Sequence, residues 1–284
     1  MIIGNINISP LPFYDDISQQ NHRKDYAYGQ IYPLITHSNM LLPFQAVLSS
    51  ADKAISQVKL YSLDTSEYTD ITVSIKEVGL IIKQFEGYNL LIYPAVLPFT
   101  TTLLEGRYYL TIKLNTGTIY SEVFTVVNDV SKYLLIEYRS TKDFSLPIGH
   151  VDFSNAFMFK CYISSQVGKP EYSFEEEATE RLGYSFIESQ VSKKVYKFTF
   201  VAPEYLCDAL RLVRLCDNKI IKEGRAFYDL NTFAMEPKWE DQGDLAAVEC
   251  EFETDTVIAN IGGFVPKKLG GDFNNDYNED FDNK

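Results

Sequence analysis

Arg107-Tyr-Tyr-Leu-Thr-Ile-Lys-Leu114 alternates without a fault: Tyr108, Leu110, Ile112 and Leu114 fall on one side, Arg107, Tyr109, Thr111 and Lys113 on the other. A period of two sends successive side chains to opposite faces, so the stretch reads as a half-buried antiparallel strand. Asn115-Thr-Gly-Thr118 supplies a turn, and Ile119 to Val127, rich in Tyr, Val, Phe and Thr, returns as the second arm of a hairpin.

Immediately upstream, Leu103-Leu-Glu-Gly-Arg-Tyr108 has the form of a tyrosine corner, in which a turn residue and Gly lead a Tyr into the next-to-last strand of an immunoglobulin-like sandwich. Tyr108 is the expected corner residue, its ring toward the core and its hydroxyl returning to a backbone group just upstream. Further strands are expected at Leu41 to Leu48, Gln57 to Leu63, Ile71 to Lys76, Leu80 to Phe85 and Tyr88 to Tyr93, a spacing that suits a sandwich. Asn128 to Lys132 then reads as a seam.

Beyond it, Tyr133 to Arg139, Ala156 to Ile163, Val191 to Val201, Lys219 to Lys222, Ala226 to Leu230 and Leu245 to Glu253 read as strands of a second β-rich region. Val248, Cys250 and Phe252 face away from a rail of Glu249, Glu251 and Glu253, and Tyr196, Phe198 and Phe200 face away from Lys197 and Thr199. The rail and the lysine-bearing strand are expected as neighbours in one sheet, where opposite charges attract. Pro203 to Leu215 breaks the pattern: Leu206, Ala209, Leu210 and Val213 recur at helical spacing behind Pro203 and Glu204, which predicts a short amphipathic helix. The expected organisation is therefore mainly β: an N-terminal arm over 1–30, an immunoglobulin-like sandwich over 31–128, a second β-rich domain with one short helix over 133–262, and an acidic arm over 263–284.

The whole chain has 284 residues, 45% of them hydrophobic, with 20 Tyr, 19 Phe and one Trp, and a formal charge of −13. That is too apolar for a disordered chain and too charged for a membrane one. A net −13 also argues against a general nucleic-acid binder, whose affinity rests on a dense Lys/Arg face. The N-terminus lacks a basic region followed by an apolar run, so folding in the cytoplasm is expected. The longest uncharged stretch, Tyr88 to Leu104, holds Pro94 and Pro98 and falls short of the roughly 20 apolar residues of a spanning helix.

Motifs that carry chemistry are sparse. Cys161, Cys207, Cys216 and Cys250 show neither zinc nor dithiol spacing and read as buried thiols; Cys207, beside Leu206 and Leu210, reads as core filler. His22, His37 and His150 are scattered, and no phosphate-binding loop follows a strand. Glu175, Glu176 and Glu177 are consecutive, unlike the two carboxylates that flank a glycosidase cleft, and read as a charged surface loop or interface patch. Asp272-Phe-Asn-Asn-Asp-Tyr-Asn-Glu-Asp280 places oxygen ligands at every second position, but lacks the Gly and the closing Glu of a calcium loop. It reads instead as an acidic tail interleaved with Phe273, Tyr277 and Phe281, able to order against a basic or apolar partner. No catalytic residue, metal or cofactor is expected.

Four segments carry a family likeness: Tyr120-Ser-Glu-Val-Phe-Thr-Val-Val127, Val167-Gly-Lys-Pro-Glu-Tyr-Ser-Phe-Glu-Glu-Glu177, Pro203-Glu-Tyr-Leu-Cys-Asp-Ala-Leu-Arg-Leu212 and Glu251-Phe-Glu-Thr-Asp-Thr-Val-Ile258. From about Leu41 through Ile261 the chain resembles proteins encoded by tailed phages and prophages of gut Bacteroidetes, crAss-like phages included. The resemblance implies a virion structural protein of the tail, or of the neck ring between portal and tail. It would be built in many copies and would meet itself and other portal, ring or tail components. It transfers no catalytic residue. Phe273, Tyr277, Phe281 and Glu175 to Glu177 are the candidate assembly contacts. A surface carbohydrate-binding or adhesin module is the alternative, although Trp239 stands alone as the indole such a site would use.

Overall fold

The computed structural model describes residues 2, 8–20, 34–95, 102–181, 184–239 and 244–260. The first half runs through β1 (Phe13–Tyr14), β2 (Ile35–His37), β3 (Phe44–Ser49), β4 (Gln57–Ser62), β5 (Tyr68–Asp70), α1 (Thr72–Glu77), β6 (Ile81–Gln84), β7 (Tyr88–Tyr93), β8 (Gly106–Lys113), β9 (Thr118–Ser121) and β10 (Phe124–Val127). The second half continues through β11 (Leu134–Arg139), β12 (Phe144–Ser145), β13 (His150–Val151), β14 (Phe159–Ile163), β15 (Glu171–Arg181), β16 (Tyr184–Pro203), α2 (Glu204–Leu210), β17 (Asn218–Glu223), β18 (Ala226–Asp229), β19 (Thr232–Trp239) and β20 (Leu245–Asn260). The protein is mainly β. The described residues contain no helix long and apolar enough to cross a membrane.

Two compact units are present: Met1–Lys169 with Tyr196–Phe252, and Pro170–Val195 with Glu253–Lys284. In the first unit an 11-stranded sheet has the order β1-β9-β8-β10-β2-β14-β11-β17-β18, with β4 joined to β8 and β5 to β4. A second sheet has the order β3-β7-β6. Val58, Leu60, Leu110 and Ile112 of the large sheet share one hydrophobic cluster with Phe44, Leu48, Leu90 and Ile92 of the small one. The expected hairpin is present, with Thr111 opposite Tyr120 and Lys113 opposite Thr118.

The expected seam at 128–132 lies inside this unit. β2 pairs in parallel with β10 and antiparallel with β14, through Tyr162 opposite Ile35, so one sheet runs through both of the expected domains, 31–128 and 133–262. Alternation reports the two faces of a strand and says nothing of its neighbours, so the three residues of β2 hide this connection. The N-terminal arm expected over 1–30 is also corrected across residues 8–20, which belong to the core. Ile8, Leu11 and Phe13 are buried, β1 pairs with β9, and the Phe13 ring lies 4.7 Å from that of Phe44. The arm expected over 263–284 lies outside the described residues.

Ile71 to Lys76 is a helix rather than a strand. Its β-branched residues mimic a strand, but Ile71, Ile75 and Val78 are buried at helical spacing and the Asp70 carboxylate accepts from the Thr72 backbone N–H at 3.0 Å. Pro203 to Leu215 is helical as expected, α2 passing into a 3-10 turn over Arg211–Leu215, with Leu206, Ala209, Leu210 and Val213 all buried.

The corner residue behaves as expected: the Tyr108 hydroxyl donates to the Leu104 carbonyl at 3.1 Å. Gly106 before it has φ +153°, and a Cβ there would come within 2.8 Å of the Asp64 carboxylate, which itself accepts from the Arg107 backbone and guanidinium. Tyr93 presents the opposite case. It is fully buried, and among the described residues its hydroxyl has no hydrogen-bond partner. Two Tyr→Phe substitutions should therefore differ in sign. Tyr108→Phe removes a made bond and is expected to cost about 1 kcal/mol, whereas Tyr93→Phe removes a stranded hydroxyl and is expected to stabilise by about 1 kcal/mol. Chemical denaturation of both variants checks the pair.

Candidate functional site

In the second unit, β15 and β16 form a long antiparallel hairpin, Glu171 opposite Val195 and Glu177 opposite Ser189, with a bulge between Glu177 and Ala178. β15 is the end strand of the sheet β15-β16-β20-β19. Among the described residues no strand pairs with its other edge, along a strand of 11 residues, twice the length of an ordinary one. Alternation sorts its side chains. Tyr172, Phe174 and Glu176 share one face with Lys194, Ser192 and Gln190, while Ser173, Glu175 and Glu177 share the other with Lys193, Val191 and Ser189.

Glu175, Glu176 and Glu177 thus stand on a strand and not on a loop, which corrects one expectation and places all three at a sheet edge. Each is tied to β16: Glu175 to Lys193 at 2.6 Å, Glu176 to the Gln190 amide at 2.7 Å and Glu177 to the Ser189 hydroxyl at 3.0 Å. The Glu175 hydrogen bond raises the pKa of the Lys193 ammonium. Consecutive exposed carboxylates pointing to alternate faces do not converge on a substrate, so the arrangement offers no acid–base pair. Beside these carboxylates β15 exposes two aromatic rings: Tyr172 is 61% and Phe174 73% accessible. Their alternation with Ser173 and Glu175 is the strand signal that a reading centred on the charge run passes over.

Phe273, Tyr277 and Phe281, like the calcium-like segment 272–280 and His22, lie outside the described residues. The structure therefore brings together only the glutamates of the six candidate contacts. The expected neighbours in the first unit are adjacent: β16 lies beside β20, with Lys197 3.7 Å from Glu251, and Lys238 of β19 lies 2.7 Å from Glu249.

Reactive groups elsewhere are held quiet. All four cysteines are buried, and burial pushes the thiols of Cys161 and Cys216 up to about 12 and that of Cys207 to about 11, with Cys250 raised as well. A thiol that does not ionise is neither nucleophile nor ligand. Alkylation at pH 8 should accordingly leave all four unmodified in the native protein and label all four in denaturant, a difference that intact-mass spectrometry reads directly. His150 bonds through Nδ1 to the Tyr88 hydroxyl and packs edge-on against Phe85. Among the described residues no three His, Cys, Asp or Glu side chains group as a metal site would require.

The chain matches no protein-family model and no curated protein sequence.

Proposed function

We propose that the protein is a structural component of a tailed-phage virion, present in several copies in the tail or in the neck ring between portal and tail, and that it acts by protein–protein assembly. One observation carries the reading: an 11-residue strand that ends its sheet among the described residues and exposes Tyr172 and Phe174. An edge of that kind invites indiscriminate pairing unless it is blunted or has a dedicated neighbour. Charge at Glu171 and Glu175 to Glu177 deters chance partners, while exposed Tyr and Phe are the residue types that anchor interfaces.

The segment likeness to phage proteins supports this role, and in this reading the protein is assembled in the host cytoplasm and ends in the virion. The strand arrangement also supports the immunoglobulin-like reading of the N-terminal region. β3-β7-β6 shares its core with a sheet containing β10-β8-β4-β5, and Tyr108 makes the corner bond in β8, the strand that leads into the returning arm formed by β9 and β10.

Sedimentation velocity of the full chain, alone and mixed with portal, ring and tail components, tests the proposal. A symmetric oligomer, or a complex with one of those components, is expected. A strict monomer that ignores all of them contradicts it.

A further inference from the structure

Glu171 to Ala178 of β15 are exposed without a break, so the side chains of both faces of the strand meet solvent up to and past the bulge. Five of its 11 residues are Glu and one is Arg. The two faces carry different chemistry. Tyr172 and Phe174 lead one of them, followed by Glu176, while Ser173, Glu175 and Glu177 make the other. The three consecutive glutamates meet β16 through one oxygen each, Oε1 of Glu175, Oε1 of Glu176 and Oε2 of Glu177, which leaves every one a second oxygen able to accept. Glu175 is 63% exposed even within its pair with Lys193, and an ion pair so open to water is weakly held.

A strand added beside β15 would itself alternate, laying one set of side chains over Tyr172 and Phe174 and the other beside Glu175 and Glu177. Apolar residues suit the first set. Lys or Arg suits the second, because opposite charges across neighbouring strands attract and charge-assisted bonds to a carboxylate are the strong ones. A second copy of β15 does not fit. Antiparallel pairing over 171–177 sets Glu171 against Glu177 twice, and parallel pairing in register sets each glutamate against its own copy, where like charges destabilise. The chain's own alternation of a basic residue with apolar ones, Tyr196, Lys197 and Phe198, lies within β16 beside β20 with both rings buried.

We propose that β15 takes, as an added strand, an extended segment of a different virion protein in which Lys or Arg alternates with apolar residues. The proposal rests on the assembly reading and names the chemistry of the partner. The probe is a fluorescent octapeptide of alternating lysine and valine, titrated into the full chain beside two controls: glutamate in place of lysine, and the same lysines and valines in two separate blocks. The alternating basic peptide is expected to bind about tenfold tighter than either control. Hydrogen exchange should then show added protection at the β15 amides. Glu175→Gln with Glu177→Gln, both exposed, should weaken binding about fivefold with an unchanged thermal transition. Equal binding of a control, binding of no peptide, or protection that appears only outside β15 each overturns this partner chemistry and leaves the assembly reading standing. Protection of β15 that rises with protein concentration alone makes a second copy the occupant and overturns it too. A monomer that ignores portal, ring and tail components in sedimentation overturns the assembly reading itself.

Discussion

Phe44→Ala is expected to cost about 3–5 kcal/mol of folding stability, and Phe13→Ala a comparable amount, with the double variant costing less than the two together. The reason is the junction they form. Phe44 is fully buried at the start of β3 between Tyr93, 5.4 Å away, and Phe13 of the N-terminal segment, 4.7 Å away. Two rings so placed hold a direct coupling of about 0.5–1.5 kcal/mol beyond the area they bury. The segment is secured by polar contacts too: the Glu122 N–H donates to the Pro12 carbonyl at 2.9 Å and the Gln20 amide to the Ser121 carbonyl at 2.5 Å. Urea denaturation of the four chains of the cycle measures the coupling. If Phe13→Ala leaves stability within about 0.5 kcal/mol of wild type, as surface substitutions do, residues 8–20 are not part of the core.

The second large effect falls on assembly instead of folding. Replacing Tyr172 and Phe174 together by serine removes the two most exposed aromatic side chains of β15. Anchors of this type contribute about 2 kcal/mol or more each, so subunit affinity should fall about 100-fold or more. Since both rings are exposed in the isolated chain, its thermal transition should hardly move. Sedimentation across a concentration series, beside a melting curve, separates the two effects. Unchanged affinity with an unchanged melt would remove β15 from the interface.

Much of the fold was legible because several strands of the first unit, β4, β9, β10, β14 and β17, bury alternate residues, and burial on one face writes a period of two into the residues. β8 alternates in sequence too, although Tyr109 and Thr111 on its second face are also buried, and Leu206 to Val213 shows the helical counterpart. Ile71 to Lys76 misleads because Thr, Val and Ile suit a strand locally, while the contacts that make it a helix come from Ile75 and Val78 meeting the core. The N-terminal segment shows no period because its buried residues, Ile8, Leu11 and Phe13, follow an irregular path pinned by single contacts. Sheet order was out of reach for a different reason: the pairing of β2 with both β10 and β14 is a long-range fact that no local pattern records.

The candidate site divides along similar lines. Glu175 to Glu177 stand out as a charge run, while the alternation of Tyr172 and Phe174 with Ser173 and Glu175 marks them as part of a strand whose aromatic side chains are exposed. The stacking of Tyr68, Tyr61 and Tyr109 is invisible in sequence for the same reason as the sheet order, because the three become neighbours only through register.

Electron cryo-microscopy of the assembled virion tests the central claim most directly. The account predicts repeated copies of this chain in the tail or at the portal–tail neck, with Tyr172 and Phe174 of β15 covered by a neighbouring subunit. Absence of the chain from the particle, or its presence with the β15 edge open to solvent in every copy, would contradict it.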